Sequence, residues 1–227
     1  MDTVALVSGG MDSYVGTLLL ERQLKTKINK IYIDYGGKCC AMEKFYVMRQ
    51  FPDVEIVKAF SFLNGTETGD GAFMYARNLY FALYASRLHK EVVLFGHKNS
   101  EFADNTISGR LQMSALLSTL KQDTVTIYSP IEQLEKEEVV DAYIEIICPD
   151  ISILFMQTLS CTEGKHYCGK CVNCFYFYCA LFSHLPQMCD ISFYNMDIIE
   201  KYYNKLDELS PIRRKTVSAI AAKYGVK

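Results

Sequence analysis

What most constrains this chain is the alternation, over its first two thirds, of short β-branched runs with longer stretches of helical spacing. The runs are Val4–Val7, Ile31–Ile33, Val54–Val57, Val92–Phe95 and Val125–Ile127. Between them lie Asp12–Leu24, Met42–Gln50, Tyr75–His89, Ser108–Leu120 and Lys136–Ile147, where apolar residues recur at helical spacing. This βαβα order predicts an α/β fold, a parallel sheet covered by helices on both faces. Ligands of such sheets bind beyond the carboxyl ends of the strands, at the topological switch point. One connection, Ala59–Phe73, is unusually long and carries Asn64-Gly65 and Gly69-Asp70-Gly71. A loop of that length is expected to be functional or mobile.

Composition narrows the function classes. Half of the 227 residues are apolar and the net charge is −2, so nothing advertises nucleic acid or an anionic membrane. No apolar run approaches the ~20 residues that span a bilayer, and the first strand begins almost at the N-terminus, so a cytoplasmic protein is expected. The nine cysteines are then expected to be thiols or metal ligands rather than disulfides. Cys39, Cys40, Cys148, Cys179 and Cys189 read as small buried hydrophobes or ordinary thiols.

Ser8-Gly9-Gly10-Met11-Asp12-Ser13 follows the first strand and opens the first helix. Glycines permit positive φ and close backbone approach, and unpaired N–H groups of a first helical turn, with Ser8 and Ser13, can cradle phosphate. Asp12 is out of place in an anion nest unless a metal ion bridges it to the phosphate. No Gly-Lys-Ser/Thr follows, so this is not a Walker A loop; the bland alternative is a plain strand-to-helix turn. The stretch resembles the PP-loop of ATP pyrophosphatases, enzymes that adenylate a substrate and release pyrophosphate.

Past Pro149, Cys161-x6-Cys168-x2-Cys171-x2-Cys174 has the spacing of a closed, structural zinc site, with Gly164 and Gly169 supplying turns. His166 in place of one cysteine, free thiols, a redox pair and an iron–sulfur cluster are the alternatives. Cys174–His184 reads as an aromatic helix stopped by Pro186, and Met196–Leu209 and Pro211–Tyr224 as two more. Ser210-Pro211 is an N-cap with proline at the first helical position. The basic residues of the last helix, Arg213, Arg214, Lys215 and Lys223 with Lys227 just beyond, are expected to form a solvated face rather than a docking surface.

With the cysteines the resemblance narrows to the 7-cyano-7-deazaguanine synthases. Thr158-x-Ser160-Cys161 and Cys168-Gly169-Lys170-Cys171-Val172-Asn173-Cys174 are similar to their zinc motif. Asp34-Tyr35-Gly36, Ala76-Arg77-Asn78-Leu79, Ser129-Pro130-Ile131 and Lys136-x-Glu138-Val139-Val140 resemble further blocks in the same order, covering roughly residues 1–185. Two segments depart from the family: Gly36-Gly37-Lys38-Cys39 replaces its Gly-Gln-Arg-His, and its Asp-x-x-x-Tyr-Pro-Asp-Cys-Arg segment has no clean counterpart within Gly96–Asn105. The tail beyond Pro186 is unmatched.

The resemblance implies an adenine nucleotide alpha hydrolase-like (Rossmann-like) sheet with a small zinc-binding helical region. It divides the chain into a nucleotide-binding domain over 1–150, a zinc segment over 151–186 and a helical extension over 187–227. It implies ATP and Mg2+ at Ser8–Ser13 with Arg77, Asn78 and Lys136, and Zn2+ on the four cysteines. Without the resemblance, Lys136 reads as one half of a surface i,i+4 pair. Arg77 opens a helix against the dipole, where a guanidinium fork could grip phosphate or carboxylate. Asn78 could pair with a purine edge, and Tyr35 and Gly36 could frame a flat heterocycle, with Lys38 on the same side. Glu101 and Asp104 are candidate acceptors for a guanine-like N–H edge.

The implied reaction is ATP-dependent amidation of 7-carboxy-7-deazaguanine, going on to the nitrile, with ammonia as amine donor. A divergent relative would pass the activated acyl group to another amine, for instance on a protein partner in anti-phage defence, a role the altered Gly37-Lys38 segment and the unmatched basic tail suggest. A tRNA-thiolating enzyme and a purely structural zinc module are the rival classes; near-neutral charge disfavours the first and the Ser8–Ser13 loop the second. A homodimer is compatible with the sequence.

Overall fold

A computed structural model describes residues 2–68, 74–98, 102–164, 167–182, 184 and 196–226. Glu101, His166, Cys189, Gly69-Asp70-Gly71, Pro186 and Lys227 lie outside the described residues.

Five strands, β1 (Thr3–Leu6), β2 (Asn29–Asp34), β3 (Glu55–Lys58), β4 (Glu91–Val93) and β5 (Thr126–Tyr128), form one sheet in the order β3-β2-β1-β4-β5. Every pair is parallel. The helices between them are α1 (Met11–Leu24), α2 (Cys40–Gln50), α3 (Arg77–Ser86) and α4 (Ile107–Lys121). α5 (Lys136–Ala142) follows β5 and runs into a wide turn of π-helix at Tyr143–Ile147.

The period of two along a strand explains why the runs are apolar throughout. Val4, Leu6, Ile31, Ile33, Val92 and Leu94 face a core shared with α3 and α4. Ala5, Val7, Tyr32 and Val93 face the opposite one, with Leu20 of α1 and Val47 of α2. The fold is therefore an α/β sheet with helices on both faces, as the alternation predicts.

The order also fixes where a ligand can enter. The chain leaves β1 toward β2 and β3, then returns past β1 to build β4 and β5, so β1 and β4 flank the switch point. Ser8 and Gly10 after β1, and Phe95, His97 and Asn105 after β4, line that crevice.

The last third adds a helical layer: α6 (Ile151–Gln157), α7 (Val172–Phe182), α8 (Met196–Tyr203) and α9 (Pro211–Tyr224). α7 joins two cores. Phe177, Ala180 and Leu181 pack with Met11 and Val15 of α1 and Val139 and Val140 of α5. Its other side, Phe175, Tyr178 and Cys179, packs with Ile199 of α8 and Val217 and Ile220 of α9.

Two expectations need correction, and one helix was not expected. The helix expected over Met196–Leu209 stops at Tyr203, and Leu206–Glu208 form a separate 3-10 turn. The helix expected over Tyr75–His89 begins only at Arg77, because Ala76 takes a left-handed conformation (φ +57°), and it ends at Ser86. Ile151–Gln157, capped by the Asp150 side chain on the Ser152 N–H, is a helix that the spacing of so short a run does not announce.

Candidate active site

The crevice is a cavity of about 750 Å3. Its floor is the loop after β1. Gly9 adopts φ +73°, and a Cβ there would lie 2.9 Å from the Glu43 carbonyl oxygen, so glycine is demanded by both conformation and space. The Ser13 hydroxyl donates to the Gly10 carbonyl (3.0 Å) and accepts from the Ser8 N–H (3.2 Å), closing the loop on itself. Gly10 provides no side-chain cap to α1. First-turn N–H groups thus keep their capacity for an anion, in the positive field of the helix end.

The Gly9 carbonyl, in turn, accepts from the Leu159 N–H (2.9 Å) and from Gln50 Nε2 (2.9 Å), which also reaches the Gln157 carbonyl (2.6 Å). The cysteine segment is therefore stitched to the back of the loop. Neither Gln50 nor Glu43 was singled out in the sequence; at 41 and 34 positions from Gly9, no local pattern could have found them.

Lys136 opens α5 and reaches Asp12 Oδ2 at 3.1 Å. It is only 9% exposed, so the surface i,i+4 pair is excluded. A capping box sets its place: the Glu135 side chain caps the helix while Glu138 accepts from the Glu135 N–H (2.7 Å). Burial pushes the Asp12 carboxyl up, but Lys136, His97 and Arg213 outweigh it and hold Asp12 below the ordinary carboxylate value. Asp12 Oδ1 is buried with no hydrogen-bond partner among the described residues. An anionic oxygen left unpaired beside an anion nest is the donor a hard divalent cation requires, so the site fits magnesium.

On the opposite side, Tyr35 is buried, packs on Phe81 (centroids 6.2 Å apart) and lines the cavity. Gly36 takes φ +83°, its N–H bound to Asp34 Oδ1 (3.1 Å), while Asp34 Oδ2 takes Lys44 (3.1 Å). Asp34 thus builds the turn. Lys38 lines the cavity and pairs with Glu163 (3.2 Å), tying this turn to the cysteine segment.

Arg77 also lines the cavity, close enough to Glu43 and Asp104 to favour their ionised forms, although burial pushes both carboxyls up. Asn78 spends its Nδ2 on Asn105 Oδ1 (3.0 Å), bracing the segment after β4. Arg110, almost fully buried, supports the same segment through the Asn105 carbonyl (2.5 Å) and Glu132 (2.7 Å). Asp104, half-buried, lies in the 3-10 turn Ala103–Asn105. His97 joins the lining and donates through Nδ1 to the Lys98 carbonyl (2.7 Å).

Cys161, Cys168, Cys171 and Cys174 bring their Sγ atoms within 4.8 Å of one another. Cys168 and Cys174 are 3.9 Å apart, close to the ~3.8 Å edge of a tetrahedron with zinc–sulfur bonds of about 2.3 Å. Backbone N–H groups of Glu163, Lys170, Cys171 and Cys174 approach these sulfurs at 3.3–3.4 Å, an arrangement that favours thiolates. The four residues fit zinc or a like metal. Tyr46 and Leu159 pack around them, so the cluster buttresses the loop; of the four cysteines Cys161 also lines the cavity.

The C-terminal layer forms the remaining wall. Lys201, Ser210 and Arg213 line the same cavity as Asp12 and Lys136. The expected solvated basic face of the last helix holds except at Arg213. Arg214, Lys215 and Lys223 are exposed, but Arg213 turns inward onto Glu137, and the pair is nearly buried.

Among the described residues no helix is long and apolar enough to cross a membrane. No curated protein matches the chain. A family model described as "Queuosine biosynthesis protein QueC" matches residues 63–181, more than half of the chain, from the turn before α3 through α7. That stretch holds Arg77, Lys136 and all four cysteines, and so the chain belongs to the QueC family.

Proposed function

We propose that this protein is an ATP-dependent carbon–nitrogen ligase that activates the carboxylate of 7-carboxy-7-deazaguanine, amidates it, and carries the amide on to 7-cyano-7-deazaguanine. The observation that carries the proposal is the convergence of the Ser8–Ser13 loop, the Lys136–Asp12 pair and Arg77 on one cavity, in a chain of the QueC family.

In this reading the loop amides and Lys136 hold the nucleotide's phosphates, with a magnesium ion held by Asp12 supplying charge neutralisation. The substrate carboxylate attacks the α-phosphorus and pyrophosphate leaves. Ammonia then displaces AMP, giving the amide; a second ATP adenylates the amide oxygen with release of pyrophosphate, and that oxygen leaves on AMP as the nitrogen gives up its two protons, which leaves the nitrile. No side chain need act as a nucleophile. The protein's work is to position two anions that repel each other and to offset the charge that builds on the departing phosphate. Tyr35, at the end of β2, supplies a flat apolar surface for the base, and Arg77 a fork for its carboxylate. The cysteines hold zinc as a structural ion.

Ser13→Ala combined with Asp12→Ala should abolish pyrophosphate release while metal content and circular dichroism stay at wild-type values. Retained turnover would sink the ATP site. Mass spectrometry of the product formed with ammonia reports the second half of the proposal: amide without nitrile would instead direct the activated acyl group to another amine.

A further inference from the structure

The stretch that the QueC model matches ends at Leu181, so α8 and α9 lie wholly outside it. Yet α9 grips the start of α5 on both flanks of Lys136. On one side the Ser210 hydroxyl, the N-cap of α9, donates to Glu135 Oε2. On the other, Arg213 engages Glu137 as a two-bond fork, Nε to Oε1 and Nη2 to Oε2 (2.9 Å). The Arg213 guanidinium also lies 4.6 Å over the Tyr176 ring of α7. Glu135, Lys136 and Glu137 are all buried, at 7%, 9% and 4% exposure. Residues 135 and 137 are thus each held by α9, and residue 136 between them reaches the opposite way, to Asp12.

We propose that Arg213 is a positioning residue for Lys136, and that the C-terminal layer belongs to the active site rather than being an appendage to it. The proposal rests on reading Lys136 as a phosphate ligand. A lysine ammonium on a four-carbon stem is a mobile point charge. Its direction is set by how rigidly the first turn of α5 is held, and a buried bidentate ion pair is a stiff anchor for that turn. Removing only the guanidinium would strand Glu137 as a buried, unpaired carboxylate, a strongly destabilising change. The informative variant is therefore the neutral pair, Arg213→Gln with Glu137→Gln.

The test is a double-mutant cycle read by titration calorimetry of ATP onto the full-length protein, without the acid substrate, well below each variant's melting temperature. The neutral pair should weaken ATP about tenfold in the wild-type background and by less than about twofold when Lys136→Gln is already present. Arg214→Gln, one residue along and facing solvent, should bind ATP as the wild type does. An equal loss in both backgrounds would show that Arg213 acts independently of Lys136, through general stability or directly on the nucleotide from the cavity wall, and would overturn the proposal, as would no loss in either. Wild-type ATP affinity in Lys136→Gln alone would overturn the phosphate reading of Lys136 itself, and this single variant reports that failure separately.

Discussion

The two walls that meet at Lys136 are held by different kinds of bond. The loop wall is held at its backbone: a glycine at positive φ, a carbonyl that accepts from the Leu159 N–H and the Gln50 side chain, and a segment whose shape four cysteines impose. The C-terminal wall is side-chain work: Arg213 on Glu137, Ser210 on Glu135, Phe175 stacked on Tyr202 with centroids 4.6 Å apart, and a Tyr178–Tyr224 hydroxyl pair at 2.9 Å. Backbone constraints fail abruptly, because a carbonyl cannot be moved without moving the chain. Side-chain constraints fail gradually, since each is one of several.

Removing the metal should have the largest effect. A chelator strong enough to strip it, or Cys171→Ser, should lower the melting temperature by on the order of 10 °C and abolish pyrophosphate release, because Leu159 would no longer hold the Gly9 carbonyl. Metal analysis should fall in step from about one ion per chain. Full activity in a metal-free protein would break the link between cluster and loop. Gly9→Ala comes next. The added methyl meets the Glu43 carbonyl in a conformation alanine resists, and pyrophosphate release should drop about a hundredfold, for a stability loss of roughly 1–3 kcal/mol by denaturant titration. The smallest effect belongs to the other wall: Tyr178→Phe removes one hydroxyl pair and should cost about 1 kcal/mol with turnover unchanged. A turnover loss there as large as that of Gly9→Ala would erase the distinction between the walls.

The sheet was legible in the sequence because it rests on short-range patterns. Apolar runs and helical spacing locate β1–β5 and α1–α5 to within a few residues. α9 was legible from Ser210-Pro211 at its start and Gly225 at its end, which adopts φ +73°. α6 was not, because Ile151–Gln157 is too short and too apolar to show a period. For the site, the loop, Lys136 and the cysteines have local signatures or ordered motifs, and the structure brings Asp12 and Lys136 together. What was illegible depends on long-range packing. Arg213 looked like one more cation on a basic helix, and only the approach of Glu137, 76 positions away, turns it inward. Gln50 has no motif at all, yet it binds the carbonyls of Gly9 and Gln157, 148 positions apart in the chain.

The stitching of Gly9 to Leu159, and of Asp12 to Lys136, also sets a schedule for synthesis. The loop leaves the ribosome ahead of the groups that complete it: Gln50 follows Gly9 by 41 positions, Lys136 and Leu159 come more than 120 positions after the loop, and the α9 clamp later still. Domains fold as they emerge, at about 5–20 residues per second, so a nascent chain carries its unfinished loop for several seconds before Lys136 and Leu159 can complete it. Long-range closures of this kind are slow steps in folding. A chain truncated anywhere before Ser210 would therefore leave this pocket without its last wall.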